Sequence, residues 1–234
     1  MAQLPPPPPP GEPPPPPPPL GSVPPPPVGG PFDIGRAISY GWTAYWKNAG
    51  PLIVLALVVF VVNFAIGLVG QNVTGVAPRV VLQLIGFVVG IVLAMGLIRA
   101  SLAVVEGRTP EVGLLFQTDG FGPYLVASIL VALGVIFGIL LCIVPGVILA
   151  IMWQFFGYVI VENPAMGPVD ALRRSADITR GNRWQLFALG ILLIAINLVG
   201  LVACGIGLIF TYGITVITLA YTYKTLGGQP VVSA

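Results

Sequence analysis

The sequence predicts an all-α membrane protein: six transmembrane helices arranged as three hairpins, each preceded by a cytoplasmic amphipathic segment, with the N and C termini both inside. Three observations carry that prediction. The chain is 56% hydrophobic and only 8% charged, whereas soluble globular domains devote about a quarter of their residues to charge. Its apolar residues gather in runs of roughly 18 to 22, the length that crosses a hydrocarbon core of about 30 Å at 1.5 Å per residue. When six such runs are threaded through a bilayer, Arg79 alone among the Lys, Arg, Asp and Glu residues falls on the far side. The crowded side is then cytoplasmic by the positive-inside rule.

Residues 1–31 are expected to be a disordered, proline-rich cytoplasmic tail. Its runs at Pro5–Pro10, Pro13–Pro19 and Pro24–Pro27 cannot build a packed core and favour polyproline II, a stiff shape that aromatic-lined grooves bind at low entropic cost. A cytoplasmic protein that binds this tail is therefore one expected partner. The alternative is a solvated spacer, because no flanking basic or aromatic residue specifies a groove class. No early segment has the basic start, apolar stretch and cleavage site of a signal peptide, so targeting is expected from the first transmembrane helix.

Residues 32–226 form the six-helix domain, and residues 227–234 a short cytoplasmic tail. The spans read as Leu52–Gly70, Val80–Arg99, Tyr124–Ile143, Gly146–Val161, Gln185–Cys204 and Gly207–Tyr223; the fourth is the shortest. Trp42, Tyr45 and Trp46 before the first span, Trp184 before the fifth, and Tyr221 with Tyr223 at the end of the sixth match an interfacial aromatic belt. Trp153 lies mid-span and is expected to fill space in the bundle. The turns near Pro145 and Gly205 are so short that spans three and four, and five and six, must be neighbours.

An internal repeat is legible. Aligning Leu52 with Leu186 sets Asn48 opposite Asn182 and Asn63 opposite Asn197, and Gly138 followed by Cys142 matches Gly200 followed by Cys204. The unit is one interfacial helix plus one hairpin, occurring three times. Asp33 to Lys47 and Asp170 to Arg183 are the clearer interfacial copies, each with an acid three residues before an Arg, a spacing that pairs charges on a helix. Glu111 to Phe121 matches least well. In Asp170 to Arg183, Val169, Leu172 and Ala176 are expected as the apolar stripe, with Arg173 and Arg174 facing away, as for a helix lying among headgroups; the alternative is a helix that caps the bundle. Arg36, Arg173, Arg174, Arg180 and Arg183 are the candidate contacts to lipid or a protein partner.

The chain has no histidine, which excludes His-based acid–base catalysis, a catalytic triad and imidazole metal sites. No serine sits in a nucleophile elbow and no glycine run forms a phosphate loop. We therefore expect no enzyme activity, no cofactor and no metal. A net charge of +2 without a basic cluster gives no nucleic-acid footprint. Gly86 with Gly90 and Gly134 with Gly138 read as close-packing faces. Arg99 and Glu162 are expected near cytoplasmic helix ends, within reach of water. The candidate membrane-interior polar residues are Asn63, Gln154 and Asn197, either as interhelical glue or as the lining of a cavity. Cys142 and Cys204, at equivalent positions, allow a disulfide between neighbouring hairpins, or serve as small apolar residues in helix ends.

The stretch Glu162 to Trp184, with EN followed by GPVDALRRSADITRGNRW, and the segments GRAISYGWTAYWKNAG and GLIRASLAVVEGRTP resemble recurrent pieces of a broad group of integral membrane families. That group includes the membrane domain attached to some bacterial glycerophosphoryl diester phosphodiesterases. With its polyproline start, the chain most resembles the proline- and glycine-rich transmembrane proteins of actinobacteria. The resemblance implies a six-helix domain of the cytoplasmic membrane without catalytic residues of its own, and phosphodiesterase activity is not carried over. The expected function is that of a non-enzymatic scaffold or accessory protein in contact with the lipid bilayer. The alternative is a passive carrier or channel for a small or lipid-like molecule.

Overall fold

A computed structural model describes residues 22–23, 32–202 and 207–233. The proline-rich tail, except Ser22 and Val23, and the expected partner Cys204 lie outside the described residues. In chain order the helices are α1 (Ile34–Lys47), α2 (Ala49–Asn72), α3 (Val76–Val105), α4 (Phe121–Leu141), α5 (Ile143–Trp153), α6 (Phe156–Glu162), α7 (Pro168–Ile178), α8 (Arg183–Val202) and α9 (Gly207–Leu226), with a short 3-10 turn at Val112–Phe116. Among the described residues, five stretches are long and apolar enough to cross a membrane: α2, α3, α4, α5 continued by α6, and α8. This is a multi-pass helical membrane protein. The last helix, α9, is 20 residues long, but threonines and tyrosines interleave its apolar residues and Lys224 sits near its end.

The core is concentrated at the charged end of the bundle. Only Leu52 and Leu55 of the 24 residues of α2 are buried, both near its start. In α3 every residue from Arg99 to Val105 is buried, and in α9 burial is heaviest over Ala220–Lys224. At the other end, large apolar side chains such as Phe137, Leu140 and Val202 are exposed. The physical reason is that lipid tails are as apolar as leucine, so helices inside a bilayer gain little by hiding apolar surface from it. Where the chain emerges into water, the hydrophobic effect returns and demands a conventional core.

Helix α3 therefore runs past the expected boundary at Arg99. Its 30 residues measure about 45 Å, well beyond the hydrocarbon thickness, and its final turns are enclosed by the charged-end core. Helix α1 packs along α9, with Tyr40 stacked on Tyr221 at 4.3 Å. Burial corrects the aromatic-belt expectation for three tyrosines: Tyr45, Tyr221 and Tyr223 are buried, whereas Trp42, Trp46 and Trp184 are exposed. The tyrosines lie on faces turned toward neighbouring helices, a distinction that position near a span end does not reveal.

The fourth crossing is broken. Between α5 and α6 the helix is interrupted at Gln154 and Phe155, and Ser175 of α7 repairs the break. Its hydroxyl donates to the Met152 carbonyl at 2.9 Å and accepts from the Phe155 N–H at 3.1 Å. This requires α7 to lie against the bundle, so the apolar stripe is rotated from the expected one: Ala171, Leu172, Ser175 and Ile178 are buried, while Val169 is exposed. Arg173 and Arg174 do face outward.

The paired-charge spacing resolves differently in its two copies. Asp170 pairs with Arg173 at 3.7 Å; Asp33 instead caps α1 by accepting from the Arg36 backbone N–H at 3.1 Å, a stronger use of a carboxylate at a helix start. The segment expected as the middle interfacial copy contains the 3-10 turn, whose Leu115 is fully buried against Gly96 of α3. Gly138 closes tightly on Gly146, and Gly200 on Gly207, so the Gly–Cys correspondence marks two equivalent close approaches. Gly134 likewise accommodates the Trp153 ring, placing that side chain in the bundle as expected, but Gly90 has open space around it.

The C-terminal residues fold back instead of trailing away. Val231 is buried, the Val232 carbonyl accepts from the Tyr40 hydroxyl at 3.0 Å, and Val231–Val232 pair antiparallel with Ser22–Val23.

Candidate functional site

Four segments that leave the apolar helices converge on a polar cavity of about 660 Å³: the end of α3, the loop after it, the end of α6 and the C-terminal segment. Arg99 frames one wall by donating to the backbone carbonyls of Gln117 at 2.5 Å and Asp119 at 2.6 Å. Arg99 and Glu162, expected within reach of water near helix ends, both line this cavity, but Arg99 is itself buried and spends its guanidinium on those two carbonyls.

An ion network forms part of the cavity wall through Glu106, Arg108, Glu162 and Gln229. The ammonium of Lys224, whose side chain is only 8% exposed, contacts Glu162 and also Glu106 at 2.8 Å. The other Glu162 oxygen accepts from the Tyr223 hydroxyl at 2.6 Å and from Gln229 Nε2 at 3.1 Å. Arg108 pairs with the second oxygen of Glu106. Burial pushes the Glu106 carboxyl up, but the hydrogen bonds and charges of Arg108 and Lys224 outweigh it and hold the group below its ordinary value. Three helix ends, from α3, α6 and α9, are thereby tied together through one buried cation.

Chemically, both glutamates are committed to Lys224 or Arg108, and among the described residues no group of three or more His, Cys, Asp or Glu side chains could hold a metal. The network holds structure, and Asp119, Asn163 and Gln117 line the cavity beside it. Sequence reading missed it. The available signal was two acids and one lysine flanking the ends of three different spans on the same side.

The three polar residues singled out inside the membrane sit in different local settings. Asn63 and Asn197, matched by the repeat, make the same local bond to the carbonyl four residues back, at 2.8 Å to Val59 and to Leu193 respectively. Asn197 alone adds a cross-helix bond, donating to Thr215 Oγ1 at 2.7 Å; it joins α8 to α9. Asn63 borders an apolar cavity of about 320 Å³ between α2, α3 and α9. Gln154 sits at the α5–α6 break, its side-chain nitrogen buried without a hydrogen-bond partner.

Of the interfacial arginines, Arg36, Arg173, Arg174 and Arg180 are exposed and Arg183 is half-buried. Arg180 pairs with Asp177 at 3.6 Å. Cys142 is exposed at the end of α4.

Residues 134–228 match a family model described as a protein of unknown function, DUF975. Among curated proteins the chain is similar to the uncharacterized protein Rv2560 of Mycobacterium tuberculosis, with 28% identity over 232 residues, 87% of this chain and 71% of that protein. The uncharacterized protein Mb2590 of Mycobacterium bovis matches with the same identity and coverage. No solved structure matches the chain. By helix content and these likenesses, the chain is a multi-pass membrane protein similar in its C-terminal part to the DUF975 family and along most of its length to mycobacterial relatives.

Proposed function

We propose that this protein is a non-enzymatic scaffold or accessory protein of the cytoplasmic membrane, crossing it six times as three hairpins with both termini in the cytoplasm. The observation that carries the reading is the ordered charged end. There, an apolar core and the Lys224 network hold a fixed platform, from which Arg36, Arg173, Arg174 and Arg180 project. The pairing of Ser22–Val23 with Val231–Val232 supports a proline tail rooted on the same platform, where a cytoplasmic partner would meet both together. The one-sided distribution of charge supports the sidedness. The three segments quoted from the sequence support kinship with the membrane domain of glycerophosphoryl diester phosphodiesterases, without their activity.

The test is affinity purification from native membranes of the intact protein and of a variant lacking Met1–Pro31 with Arg173→Gln and Arg174→Gln. Loss of a defined co-purifying protein or lipid is the expected result; an unchanged set of bound molecules would overturn the scaffold reading. The apolar cavity beside Asn63 favours the carrier as a second reading. Replacing Asn63, which borders that cavity, by Leu and finding unchanged flux through the folded variant in reconstituted vesicles would remove it.

A further inference from the structure

We propose that the cavity between α2, α3 and α9 is the seat of one acyl chain of a membrane phospholipid. The cavity is walled by three helical stripes. On α2 the stripe is Leu52, Leu55, Val59 and Asn63, spaced by three or four residues so that all lie on one face. On α9 it extends from Leu208 to Ile217, and α3 closes the back.

Length and polarity together name the occupant. From Leu52 to Asn63 the α2 wall rises about 16 Å, and from Leu208 to Ile217 the α9 wall rises about 14 Å. Each is close to half of a hydrocarbon core of roughly 30 Å, the depth of one leaflet. The volume of about 320 Å³ lies at the small end of ligand cavities. A water molecule needs two to four polar partners, and this lining is almost entirely apolar, with the Asn63 amide nitrogen already bonded to Val59. Left empty, the lining side chains would lose their dispersion contacts outright. Phe60 and Asn63 are exposed, so the cavity opens onto the surface that lipid covers, and a hydrocarbon chain can enter sideways from its own leaflet.

This inference needs only that the protein spans a bilayer, and it stands or falls independently of the scaffold reading. The test reconstitutes the full chain in phosphatidylglycerol vesicles containing a phospholipid with a photoreactive diazirine on its acyl chain, then maps labelled residues by mass spectrometry. Labelling of Leu55 to Phe60 and Leu208 to Gly213 several-fold above the exposed α4 face at Phe137 to Leu141 is expected. Ala56→Phe, which fills the cavity, abolishes the excess and leaves the α4 labels unchanged; Ala56→Leu serves the same purpose with less bulk should the larger ring prevent folding.

Equal labelling of cavity and α4 face would overturn the proposal. So would persistence of the excess in a folded Ala56 variant. Displacement of the label by free fatty acid or an isoprenoid, but not by excess phospholipid, would assign the cavity to those molecules instead. Protection from all labels in a protein that runs as a dimer would assign it to a second copy of the chain.

Discussion

Replacing Lys224 by Met removes the one cation shared by Glu106 and Glu162 while retaining a side chain of similar length. Breaking a buried ion pair by deleting one partner costs about 3–5 kcal/mol, because a desolvated charge is left uncompensated. Here the Glu106 side chain is 31% exposed and keeps Arg108, whereas Glu162 is 17% exposed and keeps only neutral donors. The loss therefore falls mainly on Glu162, and we expect about 3 kcal/mol, the lower end of that range. For a chain of this size a kilocalorie moves the midpoint by about 2–4 °C, giving a fall of about 6–12 °C. The assay is thermal unfolding followed by tryptophan fluorescence in lipid nanodiscs. Adding Glu162→Gln, which removes the stranded charge but leaves an oxygen for Tyr223, should restore at least half of the loss. Arg173→Ala is the control: its pair with Asp170 is 76% and 67% exposed, and such pairs are worth at most about 1 kcal/mol. A fall of less than about 2 °C for Lys224→Met, or no recovery in the double variant, would refute the network as a determinant of stability.

Ser175→Ala should destabilise by about 1–3 kcal/mol by stranding a buried N–H and a half-buried carbonyl at the α5–α6 break, with faster hydrogen exchange confined to Met152 to Tyr158. Gly138→Val should cost about 1–3 kcal/mol, because its side chain would meet the Gly146 backbone; Gly90→Ala, in open space, should be neutral or stabilising by up to about 1 kcal/mol, and chemical denaturation distinguishes the two. Asn197→Leu should lose only about 0.6 kcal/mol, the mean for a polar contact between membrane helices, measured in the same way. Glu106 has a folded-state pKa below its unfolded value, so its stabilising contribution is complete above the ordinary carboxylate range and lost as pH falls through the folded-state value. Melting temperatures of the wild type should therefore drop below about pH 4, and Glu106→Gln should remove part of that drop.

Much of the helical content was legible because membrane helices are specified by one coarse property, apolar length. The fourth span shows the limit. Hydropathy is continuous through Gln154, and nothing in it announces a break, because the break is stabilised by Ser175, about twenty residues further on. The rotation of α7 was missed for a related reason. Alanine and serine on one face are ambiguous in a polarity pattern, and the close contact at that break selects the small, hydrogen-bonding face over the larger Val169. The matched asparagines make the same local bond, yet only Asn197 of the two reaches across helices, to Thr215. Which repeat copy acquires such a bond depends on whether a threonine stands opposite, and α9 supplies one.

Composition and chain order by themselves determined that this protein enters a bilayer repeatedly and that its charges collect at one end, since the transfer energy of each stretch depends on its own residues. Tertiary structure decided that Lys224, Glu106 and Glu162 meet, that the C-terminal segment closes beside them, and that α2, α3 and α9 leave an apolar cavity between them. Those outcomes depend on pair distances between residues far apart in the chain, and on packing against neighbours, neither of which a local apolar pattern encodes.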